Sequence, residues 1–174
     1  MTDFDVRRIT ADDWEQYRTL RLEALQDSPL AFVEQYAESS VQPDEFWQER
    51  AERNATSPES TIFVAVRDGS LVAKAGCFVE PEVTDYVSAH VVGVYVTPAL
   101  RGLGMAEALM EAVIRWAQEE PQADRIRLYV LKSNDRAAAF YRRFGFVPTG
   151  VTIAYPPDPT HTELEMEYQV ARDS

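Results

Sequence analysis

The segment Arg101–Ala106 combines a cation, two glycines and the start of an amphipathic helix. Glycines let a backbone approach a ligand closely, and the first N–H groups of a helix have no partner within it. Such a helix end binds anions, above all phosphate, and Arg101 adds a fixed positive charge. A dinucleotide-binding loop would need a third glycine, and a Walker loop would need Gly-Lys-Ser/Thr. The segment therefore predicts a phosphate-binding loop, with a simple turn as the alternative.

Two motifs in order resemble the GNAT superfamily of N-acetyltransferases. The run Val91–Val96 and the following loop resemble motif A, whose pattern Arg/Gln-x-x-Gly-x-Gly/Ala is matched by Arg101, Gly104 and Ala106. About thirty residues later, the run NDRAAAFYRRFGF, residues 134–146, resembles motif B. The resemblance implies a single GNAT domain over residues 1–174. It also implies an enzyme that uses acetyl-CoA as cosubstrate and transfers its acetyl group to an amine.

The resemblance assigns a role to each matched position. Backbone groups of Val94, Tyr95 and Val96 would bind the pantetheine arm and the thioester carbonyl. Asn134 would hydrogen-bond the pantetheine arm, and Tyr141 would protonate the leaving thiolate, the alternative for Tyr141 being an aromatic core residue. The pyrophosphate would lie against the backbone amides of Arg101, Gly102, Leu103, Gly104, Met105 and Ala106. Four cations near motif B either face the 3′-phosphate of CoA or form a solvated surface: Lys132, Arg136, Arg142 and Arg143.

The base that deprotonates the amine is less determined. Ribosomal-protein N-terminal acetyltransferases of the superfamily carry a glutamate five positions before the motif B asparagine, where this chain has Tyr129. Histone-type members carry a glutamate four residues before the backbone-binding tripeptide, and that position is His90. Because imidazole ordinarily titrates near neutrality, His90 is predicted as a catalytic base with a pH limb near 6 to 7. An exposed residue at a strand start is the alternative. The weaker candidates are Glu34, Glu80 and Glu82.

The acceptor is expected to lie between the first helices, around Leu25–Tyr36, and the last loop, Tyr155–Thr162. Four aromatic residues there form either an acceptor wall or core: Phe32, Tyr36, Trp47 and Tyr155. The leading hypothesis is an acetyl-CoA-dependent N-acetyltransferase that acts on a primary amine of a small molecule or peptide. The alternatives are a protein lysine or N-terminal acetyltransferase, and a non-catalytic CoA-binding regulatory module.

The elements that position these residues predict an α/β fold with a mixed, largely antiparallel central sheet flanked by helices, as in GNAT acyl-CoA N-acyltransferases. Asp68-Gly69 is a strong hairpin signal. The predicted strands are Phe4–Ile9, Thr61–Arg67, Leu71–Phe78, Tyr86–Val96, Ile126–Val130, Phe146–Tyr155 and Glu163–Val170. The predicted helices are Thr10–Asp27, Pro43–Asn54, Ala106–Ala117 and Ala137–Phe144.

Composition limits the class of protein. The chain has 174 residues and a formal net charge of −12, so a general nucleic-acid binder is not expected. The acidity either concentrates cationic amines or only maintains solubility. No membrane span or signal peptide is visible in the sequence. Cys77 is the only cysteine, so an intrachain disulfide is excluded, and it is interpreted as a small core residue. A cytoplasmic protein is therefore expected. Two histidines and one cysteine argue against a zinc cluster, so no metal is expected, with a carboxylate site for a hard cation as the alternative. A homodimer is left open.

Overall fold

The computed structural model describes residues 3–169, which form seven strands and five helices. The strands are β1 Asp5–Arg8, β2 Ser60–Arg67, β3 Ser70–Val79, β4 Ser88–Val96, β5 Arg125–Leu131, β6 Phe146–Ala154 and β7 Thr162–Tyr168. The helices are α1 Trp14–Asp27, α2 Tyr36–Ser39, α3 Asp44–Thr56, α4 Met105–Glu119 and α5 Asp135–Phe144. Short 3-10 turns cover Ala11–Asp13, Pro29–Ala31 and Pro98–Leu100.

The strands form one sheet in the order β1-β2-β3-β4-β5-β7-β6. Every neighbouring pair is antiparallel except β4 and β5, which are parallel. A parallel pair needs a long crossover, and α4 supplies it. The predicted mixed, largely antiparallel sheet is therefore confirmed. Strand β7 lies between β5 and β6, although β6 precedes it in the sequence.

The turn between β2 and β3 confirms the predicted hairpin. Asp68 and Gly69 both have positive φ, 50° and 77°. Positive φ at both central residues is the signature of a turn whose twist matches that of the two strands. The hairpin fixes the register of β3, the strand that supplies one wall of the site described below.

Each face of the sheet carries its own hydrophobic core. One core joins α4 to the sheet and contains Cys77, whose pKa burial raises to about 12, so the prediction of a core cysteine is confirmed. The other core joins α1 and α3 to the opposite face, and its largest member, Trp47, is fully buried. Trp47 is therefore a core residue and not part of an acceptor wall, whereas Tyr36 is exposed.

The boundaries differ from the predictions mainly at short elements. The helix expected from Thr10 begins as a 3-10 turn, and the Asp13 carboxylate accepts the Thr10 N–H at 2.8 Å, which caps this turn. The turn at Pro29–Ala31 and the four-residue α2 were not predicted, because such short pieces carry no readable periodicity. Val170, the predicted end of the last strand, lies outside the described residues. Within residues 3–169, no helix has the length and apolar character to cross a bilayer.

Candidate active site

A cleft of about 900 Å³ opens where β4 and β5 separate. The two strands pair only from Ser88 to His90 and diverge beyond that point. The divergence coincides with a β-bulge, because Gly93 and Val94 together oppose the single residue Ala75 of β3. Beyond the bulge, the β5-facing backbone groups of β4 have no strand partner within the described chain. Apart from Val96 O, which accepts from Arg101 Nε, the segment 94–96 therefore offers hydrogen-bonding groups to a ligand that enters the cleft.

The loop before α4 presents a row of free backbone amides. No acceptor within residues 3–169 is bonded to the N–H groups of residues 102–107, and the first bonded amide of the helix is that of Ala108, to Gly104 O at 3.1 Å. Gly102 and Gly104 have φ of 84° and 90°, a backbone region that favours glycine. The positive end of the α4 dipole lies at the same place. This geometry fits the predicted pyrophosphate site.

Arg101 has a different role from the free positive charge predicted from the sequence. Its Nε donates to Val96 O at 3.1 Å, and its Nη2 donates to Asp27 Oδ2 at 2.8 Å. The charge is thus partnered by a carboxylate at the end of α1. The guanidinium ties the start of the amide loop to the end of β4, so Arg101 orients the loop.

The cations near motif B are free of internal partners. All four are exposed, and none lies within salt-bridge distance of a carboxylate among the described residues: Lys132, Arg136, Arg142 and Arg143. Arg136 and Arg143 also line the cleft. Unpaired cations beside a cleft that already offers free amides make a suitable contact for a further phosphate.

Asn134, at the start of α5, and Tyr141, within α5, both line the cleft. Asn134 is the N-cap of α5, and its Oδ1 accepts the Ala137 N–H at 3.1 Å, which leaves its amide nitrogen available to donate. Tyr141 packs edge-on against Phe140 and Phe146, with ring centroids 5.4 and 5.9 Å away, and it also lines the cleft. Burial raises its pKa to about 12. Tyr141 is therefore both a packed aromatic residue and a protonated hydroxyl at the site.

His90 lies on the opposite face of the sheet from α4 and lines the cleft. Its ring contacts Phe78 and Tyr129 at centroid distances of 5.1 and 5.5 Å. Burial, with the charge of Arg127, lowers the pKa of His90 to about 4. The predicted pH limb near 6 to 7 is therefore wrong for this residue. The imidazole is neutral at pH 7 but is a weak proton acceptor.

Two of the alternative carboxylates are held by arginines. Burial raises the pKa of Glu34, but hydrogen bonds and charge from Arg50 and Arg21 outweigh it and lower the pKa to about 2. Burial likewise raises the pKa of Glu80, but the hydrogen bonds of Arg127 and Ser88 lower it below the ordinary value. Carboxylates stabilised in this way are poor bases. Glu82 is exposed and does not line the cleft.

Glu163, the second residue of β7, was not singled out from the sequence. It is only 8% exposed, it lines the cleft, and no residue among 3–169 donates a hydrogen bond to its side-chain carboxylate. Burial raises the pKa of its carboxyl group. Glu163 pairs with Leu131 of β5. On the neighbouring strand β4, His90 pairs with Arg127 of β5. Leu131 follows Arg127 by the same number of residues as Val94 follows His90. Glu163 is thus level with the bulge, whereas His90 is about 10 Å further down the strand.

The acceptor side of the cleft contains a further charged group. Arg21 of α1 and Arg50 of α3 both pair with Glu34, and the buried Lys74 of β3 lies beside them at the bulge. The Tyr155 hydroxyl donates to Phe32 O and holds the neighbouring loop in place. Arg21, Glu34, Arg50 and Lys74 line the cleft, whereas Tyr155 does not.

Comparisons with known proteins show which family this chain is similar to. Residues 10–146 match the acetyltransferase (GNAT) family. A Bacillus subtilis (strain 168) protein, provisionally assigned as a ribosomal protein bS18-alanine N-acetyltransferase, is 28% identical over 123 residues, covering 71% of this chain and 75% of that protein. The mycothiol acetyltransferase of Paenarthrobacter aurescens (strain TC1) is 31% identical over 103 residues, 58% of this chain and 31% of that enzyme.

A solved structure extends the match to nearly the whole chain. A GNAT-family acetyltransferase from Streptococcus pneumoniae superposes with a TM-score of 0.80 at 17% identity, and the alignment covers 97% of this chain and 99% of that one. At this identity the superposition shows a shared fold. Together with the match over residues 10–146, it means that this chain belongs to the GNAT acetyltransferase family.

Proposed function

We propose that this protein transfers the acetyl group of acetyl-CoA to a primary amine of a small molecule or peptide by direct attack of the amine on the thioester. The observation that carries the proposal is the row of six free amides, residues 102–107, beside the unpaired edge of β4. Both open into one cleft, which Tyr141 also lines. A phosphate site joined to a strand edge fits a long ligand with a phosphate at one end and a reactive group at the other.

The described residues fit CoA along its length. The free amides would bind the pyrophosphate, and the unpaired cations near motif B would face the 3′-phosphate. The amide nitrogen of Asn134 and the backbone of Val94, Tyr95 and Val96 would bind the pantetheine arm. The acetyl group would then lie near the bulge, within reach of both faces of the sheet.

The transfer needs a base for the amine and stabilisation of the leaving sulfur. The amine nitrogen bonds to the carbonyl carbon, the carbon–sulfur bond breaks, and the amine proton passes to a base. Glu163 is the better base, because its carboxylate is unpartnered and level with the bulge, and His90 is the second candidate. Tyr141 would hydrogen-bond the sulfur as negative charge develops on it.

The relatives do not select the acceptor. One is named for the alanine of a ribosomal protein and the other for mycothiol, which are a protein residue and a small molecule. This chain has Tyr129, partly buried against His90 and Arg127, where ribosomal-protein acetyltransferases carry a glutamate base. We therefore favour a small-molecule or peptide amine over a protein acceptor.

A screen with thiol detection tests the proposal. Acetyl-CoA and a panel of amines, peptides and proteins should yield free CoA with at least one amine, above the rate without acceptor. Mass spectrometry of the product should show one added acetyl group on nitrogen. Tight CoA binding with no release in any case would instead indicate a non-catalytic CoA-binding module. Release of CoA only in the presence of proteins would instead identify a protein as the acceptor.

A further inference from the structure

Three cations surround one carboxylate on the acceptor side of the cleft. Arg21 and Arg50 pair with Glu34, and Lys74 lies next to Arg21 with its ammonium over the Phe32 ring at 5.2 Å. We call these four charged residues, Arg21, Glu34, Arg50 and Lys74, the basic cluster. It comes from three separate elements and a loop, so only the folded chain assembles it. All four residues line the cleft.

The basic cluster has donors that are free to bind a ligand in the cleft. Lys74 is 2% exposed, and its ammonium has three N–H donors, of which only one has an acceptor among residues 3–169, Gly93 O at 2.7 Å. Arg21 is 8% exposed and bonds to Glu34 through Nε and Nη2, while its Nη1 has no acceptor among residues 3–169. Donors of charged groups form strong hydrogen bonds with a carboxylate or another anionic acceptor. Their arrangement therefore points to a ligand that supplies acceptor atoms.

The free donors converge on one place at the bulge. A Cβ added to Gly93 would lie 3.1 Å from Lys74 Nζ and 3.5 Å from Arg21 Nη1. Both nitrogens therefore lie beside Gly93 and close enough to each other for one carboxylate to accept hydrogen bonds from both. Gly93 is also the residue before Val94, where the acetyl group is expected. A group bound here would be only a few atoms from the reacting amine.

The charge of the basic cluster is opposite to that of the whole chain. The chain has a formal net charge of −12, whereas the cluster has three basic side chains and one carboxylate. Burial, together with the charge of Arg21, lowers the pKa of Lys74 well below its ordinary value, and only the charge of Glu34 opposes this. A bound anion would favour the charged form of the lysine. A cationic amine such as a polyamine would be repelled.

We propose that the basic cluster binds a carboxylate of the acceptor, so that the acceptor is an amine of the α- or β-amino-acid class. This inference rests on the proposed acetyltransferase function and names its substrate class. The carboxylate accepts hydrogen bonds from Lys74 and Arg21 beside Gly93. The amine then lies toward Val94 and Glu163, where it attacks the acetyl carbon and gives up its proton.

Matched acceptors test the inference in the wild-type protein. The twenty amino acids, β-alanine, γ-aminobutyrate and 6-aminohexanoate would be compared with their primary amides and with amines that lack the carboxyl group. We expect kcat/KM for the best acid to exceed that of its amide by at least about tenfold. We also expect the rate to fall as the carboxylate moves away from the amine. Equal rates for acids and amides, no reaction of any acid, or a preference for polyamines would overturn the inference.

Two variants separate the basic cluster from general electrostatics. Lys74→Met removes one buried cation of the cleft, and Arg18→Met removes one cation from the exposed Arg18–Asp44 pair, which does not line the cleft. Lys74→Met should abolish the preference for acids over amides while acetyl-CoA affinity, measured by calorimetry, stays within about twofold. Arg18→Met should retain the preference. If Lys74→Met slows acids and amides equally, the lysine acts on the shared acetyl group, and the inference fails.

The same experiments distinguish this inference from the proposed function. Transfer of acetyl groups without any preference for acids leaves the acetyltransferase function intact and removes the carboxylate site. Absence of acetyl-CoA binding, or of transfer to every amine regardless of charge, would remove the function itself and the inference with it. The two failures therefore give different patterns of calorimetric and kinetic results.

Discussion

Tyr141 remains protonated at neutral pH, because burial raises its pKa to about 12. A thiol ordinarily titrates near 8.5, so complete proton transfer from this tyrosine to the thiolate is unfavourable. Its expected contribution is a hydrogen bond to the sulfur as charge develops. Tyr141→Phe should therefore lower kcat by about 10²-fold and leave the affinity for acetyl-CoA nearly unchanged.

Tyr168→Phe is the matched control for the tyrosine. Tyr168 also packs against Phe146, with ring centroids 5.4 Å apart, but it does not line the cleft. Removal of its hydroxyl should leave kcat unchanged in steady-state assays. Equal kcat values in the Tyr141→Phe and wild-type proteins would show that Tyr141 has only a structural role.

The base is tested by its pH dependence. Burial raises the pKa of Glu163, so kcat/KM should fall as pH decreases through a value above the ordinary 4.5 of a glutamate, where the carboxylate becomes protonated. Glu163→Gln should remove this limb and lower kcat/KM by about 10²-fold. His90→Ala should have a smaller effect, because a group with a pKa of about 4 accepts a proton weakly. A larger loss with His90→Ala, and a limb near 4, would identify His90 as the base instead.

At the residue scale, the sequence predicted more of the cleft residues on the proposed cofactor side than on the proposed acceptor side. The positions of Asn134 and Tyr141 follow from motif spacing, and both line the cleft. Lys74 was missed, although a single lysine in the apolar run LVAKAGC is a readable sign of a buried cation. Glu163 was missed because its environment depends on the pairing of β5 with β7, a contact between distant parts of the chain.

At the scale of elements, Asn134 joins the fold of α5 to ligand binding. Its Oδ1 caps the helix, while its amide nitrogen is expected to bind the pantetheine arm. Asn134→Asp keeps the capping oxygen and removes the donor, so we expect wild-type thermal stability and about tenfold weaker acetyl-CoA binding. Asn134→Ala removes both and should also lower stability by about 1 kcal/mol. Thermal melts and calorimetry measure the two effects separately.

The outcome for Asn134→Asp decides between the two roles. Wild-type affinity in this variant would mean that Asn134 is only a helix cap and that the arm binds elsewhere. Loss of stability in Asn134→Asp equal to that of Asn134→Ala would mean that the observed cap does not depend on Oδ1.

Elements with strong local signals were predictable, and those set by distant contacts were not. The hairpin at Asp68-Gly69 and the amphipathic α4 follow from turn chemistry and helical period. The insertion of β7 between β5 and β6 depends on pairing between segments far apart in sequence. The bulge at Gly93 likewise depends on the register between β3 and β4. The bulge lies where the cleft opens. The sequence therefore predicted which segments form the candidate site, but not the geometry of the cleft.

At the scale of the whole molecule, Glu34 links α1 and α3 through Arg21 and Arg50. Its pKa in the folded protein is about 2, below the ordinary value of 4.5. Its contribution to stability is therefore complete above pH 4.5 and is lost as pH falls toward 2. Glu34→Gln should lower the free energy of unfolding at pH 7 and flatten its pH dependence between 4.5 and 2.

Glu52→Gln provides the comparison for the acid dependence. Glu52 lies on α3 two residues from Arg50, is exposed, and forms no salt bridge within the described chain. Its substitution should leave the denaturant-unfolding profile close to that of the wild type at each pH. If Glu34→Gln follows the same profile, the basic cluster does not stabilise the fold.

Binding of acetyl-CoA to the amides of residues 102–107 is the central claim, and calorimetric titration of three proteins tests it most directly. Gly104→Asp places a carboxylate where phosphate should bind, and Gly150→Asp is its control: φ is 90° at Gly104 and 92° at Gly150, with open space around both. We predict at least a tenfold loss of acetyl-CoA affinity, about 1.4 kcal/mol, for folded Gly104→Asp and no loss for Gly150→Asp. Unchanged affinity in folded Gly104→Asp would contradict the claim.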